Sequence, residues 1–225
     1  MPCATADEIV LIKTLDVGRY ADPGTLCCAF CRQTLEWYRW ETATAKAMYE
    51  VLRHLENVLR RAISTRLAAY YGREDWWNAP QLRLTYGTEK MISDAVDKLR
   101  RTSTPATPAA VQRAMPLGFW VNLMGRGADY ETQLWRPMSA GFPGYRGRRE
   151  PLHKRLDDLR ELRNKVAHLD RIGDVDLASG RASALIAIGY VSVATARRID
   201  AADTALPALL AHQPSVCAHR QGGGS

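Results

Sequence analysis

Strand-like alternation is almost missing from this chain, and so are internal repeats and heptad runs of useful length. Those absences exclude a β-sandwich, a coiled-coil rod and a solenoid. Long apolar runs are missing too. The longest uncharged stretch, 182–196, falls short of the roughly 20 residues that cross a bilayer and carries serines and a threonine, so it predicts a buried helix and no membrane partner. Cysteine is scarce and odd in number, at five. Cys3 and Cys217 stand alone, and Cys28-x-x-Cys31 has no second pair or neighbouring histidines to complete a four-ligand zinc site. Cysteines three apart in a helical pattern serve as small core residues. No carboxylate-rich cluster suggests a metal, so no metal and no cofactor are expected. The first residues run straight into charge with no secretory leader, which favours a reducing cytoplasm.

Helical patterning and positive charge are present in quantity. A chain of 225 residues is long enough for one core, or one core with a small appendage. Its formal charge of +7 suits an anionic partner such as RNA. The cations are uneven: Arg146, Arg148, Arg149, Lys154 and Arg155 crowd the entry to one helix. They read either as a solvated loop and helix start or as a phosphate-contact patch. Arg146, Arg148, Arg149 and Lys154, with Lys165 further along, are the candidate RNA contacts.

Thr5 and Glu8 have capping-box spacing ahead of a short first helix. A turn-rich break follows from Gly18 to Gly24, then an apolar pattern over 25–38. Thr42 to Tyr71 is the longest helical pattern, with Met48, Leu52, Leu55, Leu59, Ile63, Leu67 and Tyr70 as one stripe and Gly72 as its C′ residue. Trp76 and Trp77 lie in a loop and read as a plug beneath a helix end, or as stacking platforms for bases. Further helices are predicted over 88–101 with Thr88 as N-cap, after Thr107-Pro108 as N-cap and N1, over Met115 to Met124, over Tyr130 to Met138, and over 181–200, with a weaker one before the tail. The division expected is an N-terminal helical extension over 1–40, a helical domain over 41–215, and a flexible tail or linker scar over 216–225.

The chemistry concentrates in Arg163-Asn164-Lys165-Val166-Ala167-His168. Leu152, Leu156, Leu159, Leu162 and Val166 recur at three- and four-residue steps and mark the buried face of its helix. At roughly 100° per residue, Asn164 and His168 fall one turn apart on the opposite face, and Arg163 on the flank. Arginine grips phosphate in bidentate fashion, asparagine donates and accepts, and histidine is the side chain that moves protons near neutrality. An isolated pattern of this kind also describes an ordinary solvated helix face.

Arg163-Asn164-x-x-x-His168 resembles the R-N-x3-H signature of HEPN domains. Leu117-Gly118-Phe119-Trp120, Tyr130 with Leu134-Trp135, Phe142-Pro143 and the arginine-rich run resemble the abortive-infection (Abi-like) branch of that superfamily. Leu55-Glu56-Asn57-Val58-Leu59-Arg60-Arg61-Ala62-Ile63 resembles the long helix of the same branch, and the likeness covers roughly residues 45–173. Three positions depart from it: Leu169, Asp170 and Arg171 stand where a second histidine and then Glu-Pro are common, and Asp170 is also where some toxins carry a modifiable tyrosine.

The resemblance implies an all-α, HEPN-like helical bundle with additional N-terminal and C-terminal helices. It implies a metal-independent endoribonuclease of phage defence or a toxin, working as a homodimer with a composite active site and restrained by an antitoxin protein or a regulatory RNA. Its catalytic residues would be Arg163, Asn164 and His168, with Glu56 near the motif to orient the arginine or histidine. From spacing alone, Glu56 and Arg60 are an exposed ion pair one turn apart. Two other classes remain: an idle RNA-binding HEPN module, and a regulatory helical protein whose polar face meets a partner chain.

Overall fold

The computed structural model describes residues 5–15, 32–127, 129–168 and 172–214. All five cysteines, including Cys28 and Cys31, the break at Gly18 to Gly24, the start of the 25–38 pattern, Leu169, Asp170, Arg171 and the tail lie outside the described residues. The architecture is all-α: ten α-helices and a few single turns, with no strand among the described residues.

Helix α1 (Ala6–Thr14) begins as its sequence dictates. Thr5 accepts from the Glu8 amide while the Glu8 carboxylate accepts from the Thr5 amide. Helix α2 (Arg32–Tyr71) is longer at its N-terminal end than the stripe from Thr42 suggests, and it runs unbroken through the expected boundary at residue 40. Gly72 closes it with a φ of +69°, a conformation that glycine adopts without a Cβ penalty. α3 (Tyr86–Arg101) starts earlier than expected. Its N-cap position is Thr85; Thr88 is buried one turn inside, its hydroxyl shared with Thr85 and the Tyr130 hydroxyl. α4 (Pro108–Ala114) opens as expected, with Thr107 accepting from the Ala110 amide and Pro108 at N1.

α5 (Leu117–Asn122) is short and apolar. Glu131–Trp135 forms a π-helical turn that passes into α6 (Arg136–Ser139). α7 (Arg149–His168) carries the R-N-x3-H motif at its end. The pattern over 181–200 is two helices, α8 (Leu177–Val191) and α9 (Val193–Ala202). Ser192 separates them: its hydroxyl accepts from the Thr195 amide and caps α9. α10 (Ala205–Ala211) completes the described chain. No helix among the described residues is long and apolar enough to cross a membrane.

The chain divides into two compact units, Met1–Met48 with Lys165–Ala178 and Asp203–Ser225, and Tyr49–Asn164 with Ser179–Ala202. In the first, Ile12 and Leu35 form a small cluster flanked by Ile9 and Tyr38. Trp40 donates its indole N–H to the Leu209 carbonyl at 2.7 Å, and buried Glu41 accepts from the Gly173 amide.

The second unit holds the larger core. Leu52, Leu55, Leu59, Ile63 and Leu67 of α2 are buried, as are Leu152, Leu156, Leu159 and Leu162 of α7. Trp76, Phe119 and Trp120 meet at ring distances of 4.9–6.2 Å. Trp76 and Trp77 are therefore core, and base stacking is not their role. Tyr70, expected on the buried stripe, is 62 % exposed. Tyr71 turns inward in its place, donating to the Gln133 carbonyl at 2.7 Å, and burial pushes its phenol up to about 12. Gly144 sits where a Cβ would come within 2.9 Å of the Gly189 carbonyl, so only glycine permits that close approach of the loop to α8.

Candidate functional site

α7 presents the motif because its leucines fix its rotation. With Leu152, Leu156, Leu159 and Leu162 buried, Arg163 and Asn164 fall at the edge of the covered face, each half-buried. Two arginines tie it to neighbouring elements, and a third pairs within the helix. Arg149, only 14 % exposed, donates to Glu131 at 2.9 Å and to the Met124 and Gly125 carbonyls. Arg155 donates to Ser183 of α8 at 2.9 Å, its guanidinium 6.0 Å from the Tyr190 ring. Arg160 pairs with Asp157 at 2.6 Å.

Arg163 is treated differently from these arginines. Its guanidinium carbon lies 5.8 Å from the centre of the Tyr49 ring on α2. It makes no ion pair or hydrogen bond with a described residue, and its Nε is buried without a partner. Glu56, on the same α2, is a source of negative charge close enough to interact with it. Burial raises the Glu56 carboxyl above the usual carboxylate range, and Arg163, then Arg60 and Arg53, pull it back down. The expected pair of Glu56 and Arg60 is looser than a contact: Arg60 donates to the Asn57 side chain at 2.6 Å instead. So the second unit brings Glu56, Arg163 and Asn164 to neighbouring positions.

Asn164 makes no side-chain hydrogen bond to a described residue. His168 is the last residue of α7, exposed, one turn beyond Asn164 along the same helix. Lys165 is exposed on the intervening turn. His168 and Lys165 belong to the first unit, Arg163 and Asn164 to the second.

The remaining candidate cations divide by what they touch. Arg146 and Arg148 are exposed in the loop before α7, and Tyr145 donates to the Arg148 carbonyl at 2.7 Å. Lys154 is exposed and pairs with Asp158 one turn on. Arg149 is committed to the fold, as its three partners show. An open cleft of about 380 Å³ is lined by Met124, Gly125, Arg126, Arg149, Glu150 and His153. It lies at the first turn of α7, about 20 Å along the axis from Arg163 at 1.5 Å per residue, and is not the motif site. One of its cations, Arg149, is already paired with Glu131.

Tyr49 and Arg53 are the residues that sequence reasoning passed over. Tyr49, Arg53, Glu56 and Arg60 follow at steps of four, three and four, which places them on one face of α2. The steps are visible in the sequence, but only the position of Arg163 gives that face a meaning. Comparison with protein-family models, with curated proteins and with solved structures gives no match.

Proposed function

We propose that the chain is a metal-independent endoribonuclease of the HEPN type, built on Arg163, Asn164 and His168. The observation that carries this reading is the state of Arg163. A guanidinium held over an aromatic ring and beside a carboxylate, its Nε buried, has no hydrogen-bond partner among the described residues, which leaves its terminal Nη donors for an anion. A phosphodiester meets that fork in bidentate fashion.

RNA carries its own nucleophile. A base takes the 2′-hydroxyl proton, the 2′-oxygen bonds to phosphorus, and the 5′-oxygen leaves with a proton from an acid. Arg163 would offset the charge on the phosphorane, and Asn164 would hold a phosphate oxygen or the imidazole. His168 of each of two copies in a two-fold dimer would supply base and acid. The products would be a 2′,3′-cyclic phosphate and a 5′-hydroxyl. Glu56 would orient Arg163; Arg146, Arg148 and Lys165 would hold flanking phosphates. The resemblance extends this to a role in cytoplasmic phage defence or as a toxin, under an antitoxin or regulatory RNA.

A second reading rests on His168. The ring is exposed, and no hydrogen bond to a described residue fixes its tautomer, as suits a module that binds RNA without cutting it. Cleavage of single-stranded RNA by the wild-type chain and by Arg163→Ala separates the two. Loss in the variant supports the nuclease; binding without cleavage by wild type supports the idle module.

A further inference from the structure

We infer that the Tyr49–Arg53–Glu56–Arg60 face of α2 is a track for single-stranded RNA, with Tyr49 as the platform on which a base stacks. The inference rests on the nuclease reading only for the position of the scissile phosphate; the track itself is a binding claim.

Four observations converge on it. Tyr49 is large, aromatic and 40 % exposed, on the same helix as the buried Leu52 and Leu55. One side of its ring meets Arg163 at 5.8 Å, so stacked base and phosphate-holding cation would be neighbours. Arg53 lies one turn further along the same face, exposed and without an ion-pair or hydrogen-bond partner among the described residues. Arg60 continues the face, so the track from Tyr49 runs about 16 Å at 1.5 Å per residue.

An aromatic platform beside unpaired arginines suits single strands. Every unpaired base offers a π-face, whereas a duplex hides its bases in the stack. Glu56 has a place in this scheme. A carboxylate between the cations repels a phosphate at its own position, so the backbone would be held on Arg53 and Arg163 to either side. The contrast is Arg149, which the fold consumes; on α2, Arg60 gives one hydrogen bond to Asn57 within its own helix, and Arg53 has no hydrogen-bond or ion-pair partner among the described residues.

The test uses the full chain carrying His168→Ala and a short single-stranded RNA with 2-aminopurine in its middle. Fluorescence quenching reports stacking, and anisotropy reports affinity. Tyr49→Ala is expected to abolish the quenching and weaken binding about tenfold, with Tyr49→Phe close to the parent. Arg53→Ala is expected to lower the salt slope of binding by about one while leaving the quenching in place. Binding of an A-form duplex should be indifferent to Tyr49→Ala. Unchanged quenching and affinity in Tyr49→Ala, or a loss shared by Tyr49→Phe, would overturn the track. So would a change in oligomeric state caused by Tyr49→Ala, since that would make the face a protein interface. RNA cleavage by the chain with an intact His168 reports separately on the nuclease: the track stands if RNA stacks on Tyr49 without being cut, and falls if RNA is cut with the same KM by wild type and Tyr49→Ala.

Discussion

Arg163→Met separates the cost of a functional arginine from its use. Methionine keeps the aliphatic bulk on α7 and removes the guanidinium. Two effects on stability then oppose each other. The buried, unpartnered Nε is a donor stripped of water, and leaving such a group unpaired costs about 1–3 kcal/mol, which the variant recovers. It forfeits the contact with the Tyr49 ring, about 0.5–1 kcal/mol at an exposed aromatic. It also forfeits the attraction to Glu56, about 0–1 kcal/mol for charges that are not in direct contact and face water in part. The effects nearly cancel, so stability should stay within about 1 kcal/mol of wild type, or about 2–4 °C in Tm for a chain of this size. Cleavage should fall about a hundredfold or more, as for the loss of one transition-state donor. Thermal melting followed by circular dichroism and a cleavage rate on one RNA would check both. A Tm lower by more than about 10 °C would refute the reasoning, because it would make Arg163 a structural anchor. Undiminished cleavage would refute the assignment of its role.

Other perturbations probe separate parts of the account. Burial holds the Glu56 carboxyl above its unfolded value, so the folded chain binds that proton more readily than the unfolded one. Its contribution is full below the unfolded pKa and lost as pH rises through the folded value; Glu56→Gln should therefore equal or exceed wild-type stability near pH 7 and lose any advantage by about pH 4. Denaturant titration across that range would check it, and a less stable variant near neutrality would mean that attraction to the three arginines outweighs burial. Arg149→Ala should cost about 1.5–3 kcal/mol through its charged hydrogen bonds, while Lys154→Ala should stay within about 0.5 kcal/mol, both measured by denaturant midpoint. Leu156→Ala, at a fully buried position of α7, should cost about 2–5 kcal/mol by the same measurement.

The helices were legible wherever local chemistry decides. Thr5 with Glu8, Thr107 with Pro108, and Gly72 each place a helix end from neighbours in sequence. The leucine steps in α2 and α7 likewise show which face is buried. Legibility failed where a distant residue intervenes. Thr88 looks like a cap, but Tyr130 draws it and Thr85 into one buried hydroxyl cluster. Tyr70 and Tyr71 exchange roles because the Gln133 carbonyl receives the second of them. Arginine is the sharpest case. Arg146, Arg148 and Arg149 are indistinguishable in a string, yet Arg149 alone is spent on the carbonyls of Met124 and Gly125. The motif triplet was legible as residue types at helical spacing. That Arg163 faces Tyr49 and Glu56 depends on how α2 meets α7, which no local pattern encodes.

The most direct measurement is cleavage of cellular RNA in excess EDTA by wild type and by His168→Ala, with the ends of the products mapped. The account predicts cleavage by wild type alone, leaving 2′,3′-cyclic phosphate and 5′-hydroxyl ends. Products with 3′-hydroxyl ends, activity that returns only with magnesium, or equal cleavage by His168→Ala would contradict it.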